Sequence, residues 1–301
     1  MRRRENLRDT GLRWRMYFVM LGLVLVYLFF ITAMLQLGVP IVFVGVIAGV
    51  MLGAQYYFSD TLVLRSMHAK VKGPIEAPKL HAMVDTLVTQ AEMTKPKIAI
   101  AEMDVPNAFA TGRNAKNAVV CVTTGLMSRL NDDELYGVLA HELSHIKNND
   151  VTVMTIASFF ATLAAMLMNM LMWMSLFGGL GHRGRGGGGA AFFIAYIVSV
   201  LVYFISTLLI LALSRYREFG ADYGGAILSG KPSSLASALL KITGSIAKIP
   251  TKDLRKLETA NAFCIASALK GENLAGLMAS HPPVAKRVER LQRLAMEMER
   301  R

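Results

Sequence analysis

The chain is short of charge, of cysteine and of aromatic platforms, and each shortage closes off a class of function. Charged side chains make up only 18% of its 301 residues, and they cluster between apolar blocks. Set against a hydrophobic fraction of 53% and a mean hydropathy of +0.42, this is too little charge for an ordinary soluble chain and points to the bilayer. Cysteine is limited to Cys121 and Cys264, and neither has a partner at metal-ligand spacing. Reduced thiols are the simplest expectation, with a bridge between the two as the alternative. No interleaved aromatics accompany the basic residues, so the net charge of +12 is not read as a nucleic-acid surface. Basic chains also sit on anionic lipid. Six arginines (Arg2, Arg3, Arg4, Arg8, Arg13 and Arg15) precede the first apolar run, where they act as a topology signal. No small-x-small cleavage site follows that run, which argues for an anchor over a cleaved signal peptide. No internal repeat is apparent.

What is there is a set of four apolar blocks. The first runs from Met16 to about Leu37, long enough to cross a hydrocarbon core of ~30 Å as a helix. Gly38-Val39-Pro40 breaks it, and a second block returns through Phe58, so the two form a helical hairpin. Blocks from Val151 to about Phe177 and from Ala190 to about Leu213 make a second pair, joined by a Gly-rich loop at 178–189 that reads as a flexible linker. Lys and Arg are concentrated in the N-terminal arm, after the second block (Arg65, Lys70, Lys72, Lys79) and after the fourth (Arg215, Arg217, Lys231). The opposite loops hold none and two (Arg183, Arg185). The positive-inside bias therefore places the N-terminus, residues 59–150 and residues 214–301 in the cytoplasm.

The expected organisation is a basic cytoplasmic arm at 1–15, two transmembrane helices within 16–58, a first soluble part at 59–150, two more helices within 151–213, and a second soluble part at 214–301. Neither soluble part makes a comfortable enzyme domain alone, but both lie on one side and can pack together. In the first, Leu80–Glu92 reads as an amphipathic helix, with Leu80, Val84, Leu87, Val88 and Ala91 at helical spacing. Lys97–Glu102, Val105–Thr111 and Ala118–Thr123 read as strands, the last two around a Gly-Arg-Asn-Ala-Lys-Asn turn. A helix then starts after Asn131, an N-cap with Glu134 at the capping-box position and Asp132 and Asp133 at the positive helix end, and stops near Asn148-Asn149-Asp150.

That helix carries His141-Glu142-Leu143-Ser144-His145. Residues four apart share a helix face, so His141 and His145 aim two imidazoles at one point, a standard offer of two nitrogens to zinc. Zinc lowers the pKa of water toward ~7. Glu142 is placed to take that proton, making hydroxide for attack on a peptide carbonyl, and later to protonate the leaving amine. The bland alternative is a pair of solvated helix histidines; the capped helix and the small or apolar Val138, Leu139 and Ala140 before the motif weigh against it. A catalytic zinc needs a third protein ligand and an open position. Glu218 and Asp222 are four apart in Ser214-Arg215-Tyr216-Arg217-Glu218-Phe219-Gly220-Ala221-Asp222, so one can bind the metal while the other hydrogen-bonds a ligand histidine. Alternatively they balance Arg215 and Arg217. Asp150 is open between a helix stop and a group supporting the site. His68, His81 and His182 lie far from the motif and read as surface or loop histidines.

His-Glu-Leu-Ser-His, Arg-Glu-Phe-Gly-Ala-Asp and a late His-Pro-Pro together resemble the HtpX family of membrane-bound zinc endopeptidases, a family related to the prenyl-protein endopeptidases. The resemblance covers nearly the whole chain. It implies an α+β protein with about four transmembrane helices and a gluzincin-like cytoplasmic zinc-protease domain, mainly helical with a small β-sheet. It implies one Zn2+ per chain held by His141, His145 and Glu218, Glu142 as the base, and Asp222 orienting a ligand histidine, His141 first. Asn107-Ala108-Phe109-Ala110-Thr111 resembles the family's substrate-binding edge strand, which holds an extended peptide by β-addition; an ordinary sheet edge is the alternative. His281-Pro-Pro-Val-Ala-Lys-Arg287 resembles the family's C-terminal signature, with His281 donating to the oxyanion and Arg287 tying its helix to the site or to a carboxylate. The alternative for this segment is packing, since Val284, Val288, Leu291 and Leu294 form an apolar stripe.

The expected partners are a polypeptide substrate, in the family's case misfolded or damaged membrane proteins, and the lipid bilayer of the bacterial inner membrane, with no nucleic acid. Three other functions compete. A protease with its site inside the bilayer would embed the motif in an apolar run, whereas polar residues flank it here. Prenyl-peptide processing is permitted by the family relation, although four spans leave less room for a large chamber. A metal-stabilised scaffold without catalysis has no use for Glu142.

Overall fold

The structure is a computed structural model and describes residues 10–39, 41–174, 188–246 and 281–300. Arg2, Arg3, Arg4 and Arg8, most of the Gly-rich loop, His182 and Cys264 lie outside the described residues. In chain order the elements are α1 (Thr10–Gln36), α2 (Ile41–Tyr57), α3 (Ser59–Ser66), β1 (Lys70–Val71), α4 (Pro78–Ala91), β2 (Lys97–Ala101), β3 (Ala108–Thr111), β4 (Val119–Thr123), α5 (Thr124–Met127), α6 (Asp132–Lys147), α7 (Asp150–Trp173), α8 (Gly188–Ser229), α9 (Pro232–Ile246) and α10 (Val284–Glu299). They fall into two units. One takes 1–12, 56–152 and 214–301; the other takes 13–55 and 153–213.

The second unit is made of apolar helices. α1, α7 and residues 191–229 of α8 are long and apolar enough to cross a membrane, whereas the apolar part of α2, 41–54, is shorter. At 1.5 Å per residue the 17 residues of α2 span roughly 25 Å, a little less than a hydrocarbon core. Gly38, at the expected break between α1 and α2, takes a φ of 68° that an L side chain adopts at a cost. Inside, Phe30, Met34, Val44, Ala48, Ala164, Leu167, Ala195 and Val202 form one cluster, where the small alanines let helix backbones approach. Outside, Phe18, Leu25, Phe29, Phe43, Val50, Phe193 and Phe204 are all exposed. A belt of that size facing outward suits acyl chains and not water. The chain is an integral membrane protein.

The first unit is built on a four-stranded mixed sheet of order β1-β2-β4-β3. β2 runs parallel to β4 from Lys97↔Val119 to Ala101↔Thr123; β3 runs antiparallel to β4 with Ala108 opposite Val122 and Thr111 opposite Val119. Pleat alternation sends side chains to two cores. On one face Ile98, Ala108, Val120 and Val122 pack with Leu80, Val84, Leu87 and Val88 of α4 and with Val138, Leu139 and Leu143 of α6. On the other, Ala99, Phe109, Val119 and Cys121 pack with Val63 and Met67 of α3. The amphipathic helix read over 80–92 is present, starting two residues earlier and ending one sooner, and the three strands are present, shortened by one to three residues. The stripe of α10 joins the larger core through Val288, Leu291 and Leu294, alongside Leu235, Leu239 and Ile242 of α9.

Candidate metal centre

α6 begins as its sequence dictates. The Asn131 side chain accepts from the Glu134 N–H at 2.9 Å and Glu134 accepts from the Asn131 N–H at 2.9 Å, a complete capping box. The Glu134 carboxylate also takes Ser237 Oγ at 2.7 Å and Lys241 Nζ at 2.8 Å, tying the helix start to α9. The helix is fixed at its far end too: Asn148 caps it and Asn149 takes a φ of 54°, so the chain turns and α7 starts at Asp150. Between these ends His141 and Glu142 are buried, at 1% and 4% exposure.

The third group comes from α8, which does not stop at the apolar boundary near Leu213 but runs on to Ser229, carrying Glu218 and Asp222 one turn apart. Residues 214–229 belong to the first unit. They pack closely on α6 because position 225 is glycine: a Cβ there would lie 2.8 Å from the His141 N and Cα. His141, His145 and Glu218 each turn one donor atom to a common point, all within 4.8 Å of one another. The two Nε2 atoms are 3.2 Å apart, and Glu218 reaches His141 Nε2 with Oε2 at 3.7 Å and His145 Nε2 with Oε1 at 3.5 Å. Donors at about 2.1 Å around a tetrahedral cation sit about 3.4 Å apart, a spacing close to that between the two Nε2 atoms. Two imidazoles and a carboxylate suit a first-row divalent metal.

Both imidazoles are supported from behind. His141 Nδ1 faces Asp222 Oδ1 at 3.1 Å, and Asp222 is gripped in turn by Arg287, whose Nε and Nη2 donate to its two oxygens at 2.8 and 2.7 Å. Arg287 also reaches Glu218, with Nη1 3.1 Å from Oε2. This guanidinium is 0% exposed; burial lowers its pKa, but the Asp222 and Glu218 carboxylates more than offset that, and the net shift is upward, so it stays charged. His145 Nδ1 faces Asp150 Oδ2 at 2.5 Å, and Asp150 Oδ1 meets Arg217 Nη2 at 2.5 Å. A carboxylate beside each Nδ1 favours the proton there and leaves the Nε2 lone pair for a metal.

The charge balance gives an independent test of fit. Four carboxylates (Glu142, Asp150, Glu218 and Asp222) are buried at this site against two buried guanidiniums (Arg217 and Arg287). Buried ions unbalanced by two negative charges are costly, and a dication supplies the deficit. The residues therefore fit a divalent metal in geometry, donor chemistry and charge.

Of the other residues singled out in the sequence, His281 is brought to the site: its Nδ1 is 3.2 Å from Glu218 Oε2, an ion-pair distance, and neither ring nitrogen has a hydrogen-bond partner among the described residues. Asn107, Ala108, Phe109 and Ala110 lie on or just before β3, an edge of the sheet. Asn107 is buried, with its N–H donating to Thr123 Oγ1 at 2.9 Å. Ala110 and Thr111 line a shallow hollow that also touches His145 and Asp150. The Phe109 ring points to the opposite face, into the α3 core. His68 is exposed, but His81 is not the surface residue its sequence suggests: it is 9% exposed and its Nε2 meets the Lys72 carbonyl at 3.0 Å. Cys121 is a buried free thiol, pushed up to about 12 chiefly by desolvation. The sequence leaves Asp150 open as a group supporting the site but does not pair it with Arg217. Asp150 had only its nearness to His145 as a signal, and Arg217 only its place beside Glu218.

The model of "Peptidase family M48" matches residues 74–295. A "Protease HtpX homolog" of Moorella thermoacetica is 50% identical over 300 residues, covering 99% of both chains. A "Protease HtpX homolog 2" of Methanosarcina mazei is 46% identical over 291 residues, covering 97% of this chain and 98% of that one. Among solved structures, Ste24p of S. mikatae matches with a TM-score of 0.57 at 18% identity, over 88% of this chain and 62% of that one, a likeness of fold. The chain belongs to peptidase family M48, as a membrane metalloprotease of the HtpX type.

Proposed function

We propose that this protein is a zinc endopeptidase of the bacterial inner membrane, with its N-terminus, residues 59–150 and residues 214–301 in the cytoplasm, and that it hydrolyses peptide bonds in misfolded or damaged membrane proteins. The observation that carries the proposal is the convergence of His141, His145 and Glu218 on one point, with Glu142 buried on the same helix as both histidines. The charge bias of the segments between apolar blocks supports the orientation.

In this proposal His141, His145 and Glu218 hold one Zn2+ per chain. A zinc ion there supplies a Lewis acid that polarises the scissile carbonyl and acidifies water. Glu142 accepts the proton of the attacking water and returns it to the departing amine. Asp222 and Arg287 hold His141 and Glu218 in place. Asn107, Ala108, Phe109 and Ala110, on or just before an edge strand of the sheet, align an extended peptide. His281, with Nδ1 3.2 Å from Glu218 Oε2, has Nε2 left to meet the substrate oxyanion.

The test is purified protein in detergent, stripped of metal and reloaded with Zn2+, incubated with unfolded polypeptides and with membrane proteins. Glu142→Gln is expected to retain one zinc and cleave nothing. Cleavage by that variant at the wild-type rate would remove Glu142 as the base, and cleavage of soluble unfolded chains alone would remove the membrane-protein substrate.

A further inference from the structure

His145 and Asp150 are five residues apart, and on an uninterrupted helix they would point about 140° away from each other around the axis. The left-handed turn at Asn149 ends α6 and starts α7 so that Asp150 folds back onto His145. One carboxylate oxygen of Asp150 then meets His145 Nδ1 and the other meets Arg217, both at 2.5 Å, in surroundings where Asp150 is 8% and Arg217 4% exposed. Arg217 sits on α8 one residue before Glu218 and makes an ion pair with Asp150.

We propose that Asp150 and Arg217 are positioning residues for the metal centre: Asp150 fixes the tautomer and the ring angle of His145, and Arg217 fixes Asp150. The proposal rests on His145 being a metal ligand. The arrangement repeats the one behind His141, where Arg287 grips the carboxylate that faces Nδ1. The two halves differ in supply. Behind His141 the carboxylate comes from α8 and the arginine from α10; behind His145 the carboxylate comes from the first residue of α7 and the arginine from α8. α8 thus provides a ligand, one orienting acid and one arginine, and a single helix sets the geometry of both imidazoles.

A positioning role and a mere charge role for Arg217 predict opposite signs. Arg217 is a cation beside a cation site, so if it contributed charge alone, its removal would tighten divalent-metal binding. If it positions His145 through Asp150, removal weakens binding, and loss of an outer partner of a metal-bound histidine typically costs roughly 10- to 100-fold in affinity. The experiment is chelator competition for Zn2+ with the full-length detergent-solubilised protein, comparing wild type with Arg217→Ala, Arg217→Lys, Asp150→Ala, Asp150→Asn and the Arg217→Ala/Asp150→Ala double variant. Arg217→Ala is expected to weaken binding within that range and Arg217→Lys to recover part of it. In the Asp150→Ala background, Arg217→Ala is expected to add less than about twofold, because its route to His145 is already gone. Asp150→Asn, which retains an oxygen for Nδ1–H, is expected to fold and to lose less than Asp150→Ala. Cobalt-loaded Arg217→Ala should also show an altered visible spectrum. Unchanged or tighter binding by Arg217→Ala, or the full loss repeated in the Asp150→Ala background, overturns the proposal. His145→Ala separates the two levels: wild-type affinity there would overturn the metal-site assignment itself, whereas loss there with no loss in Arg217→Ala would overturn only the positioning role.

Discussion

Arg287→Met removes a fully buried cation that holds two carboxylates. The guanidinium makes two bonds to Asp222, at 2.8 and 2.7 Å, and lies 3.1 Å from Glu218. Methionine fills a similar volume but offers no donor, so both acids are left uncompensated in a region that excludes water. Removing one partner of a buried ion pair destabilises by about 3–5 kcal/mol. For a folded unit of this size each kcal/mol moves the unfolding temperature by about 2–4 °C, giving a fall on the order of 10 °C. The metal modulates the effect in a definite direction. A dication between Glu218 and the histidines makes up part of the missing positive charge, so the fall is larger in metal-free protein than in loaded protein. Arg287→Lys keeps the charge but makes fewer of the three contacts, and falls between. The assay is thermal unfolding in detergent by near-ultraviolet circular dichroism, with and without a chelator. A metal-free Arg287→Met protein unfolding within about 2 °C of wild type, or a fall that is the same in both metal states, would refute the claim that this arginine compensates the buried acids.

Three further outcomes follow from the same geometry. Glu218→Ala is expected to lose bound metal by elemental analysis while keeping its helical content; stoichiometric metal would move the third ligand elsewhere. Gly225→Ala places a methyl 2.8 Å from the His141 backbone and is expected to cost on the order of 1–3 kcal/mol by overpacking and to weaken metal binding; wild-type unfolding and metal titration would refute the close approach of α8 to α6. Burial raises the Glu134 carboxyl, but Lys241, Ser237 and the Asn131 N–H lower it further, so its net shift is below 4.5. Its stabilising contribution is therefore complete above that pH and is lost as pH falls through the lowered value, and Glu134→Gln should flatten the acid limb of a stability–pH curve; an unchanged acid limb would count against the lowered carboxyl.

The parts of this architecture that were legible in the sequence are those written in local pattern. The capping box at Asn131 and Glu134 is a four-residue signal, the period of α4 is carried by five apolar positions, and two histidines four apart need only a helix to converge. The end of α8 was read differently, because hydropathy drops at Leu213. Hydropathy reports the surroundings of a helix and not its continuity. No Gly or Pro interrupts residues 191–219, so the helix has no reason to stop where its environment changes. His81 departs from its sequence expectation for a related reason: its burial goes with the Lys72 carbonyl that arrives from another segment. Short elements such as β1 and α5 carry too few residues to show a period at all.

Asp150 shows where pattern stops being sufficient. Its distance from His145 along the chain would keep the two apart on a continuous helix, and the positive φ of Asn149 brings them together. That one backbone angle decides whether the buried acids number three or four, and so whether two arginines leave a deficit of one charge or of two. With Asp150 in place the deficit equals the charge of one dication. The centre is then electrically incomplete as a purely protein structure, and metal binding contributes to folding this unit as well as to its chemistry.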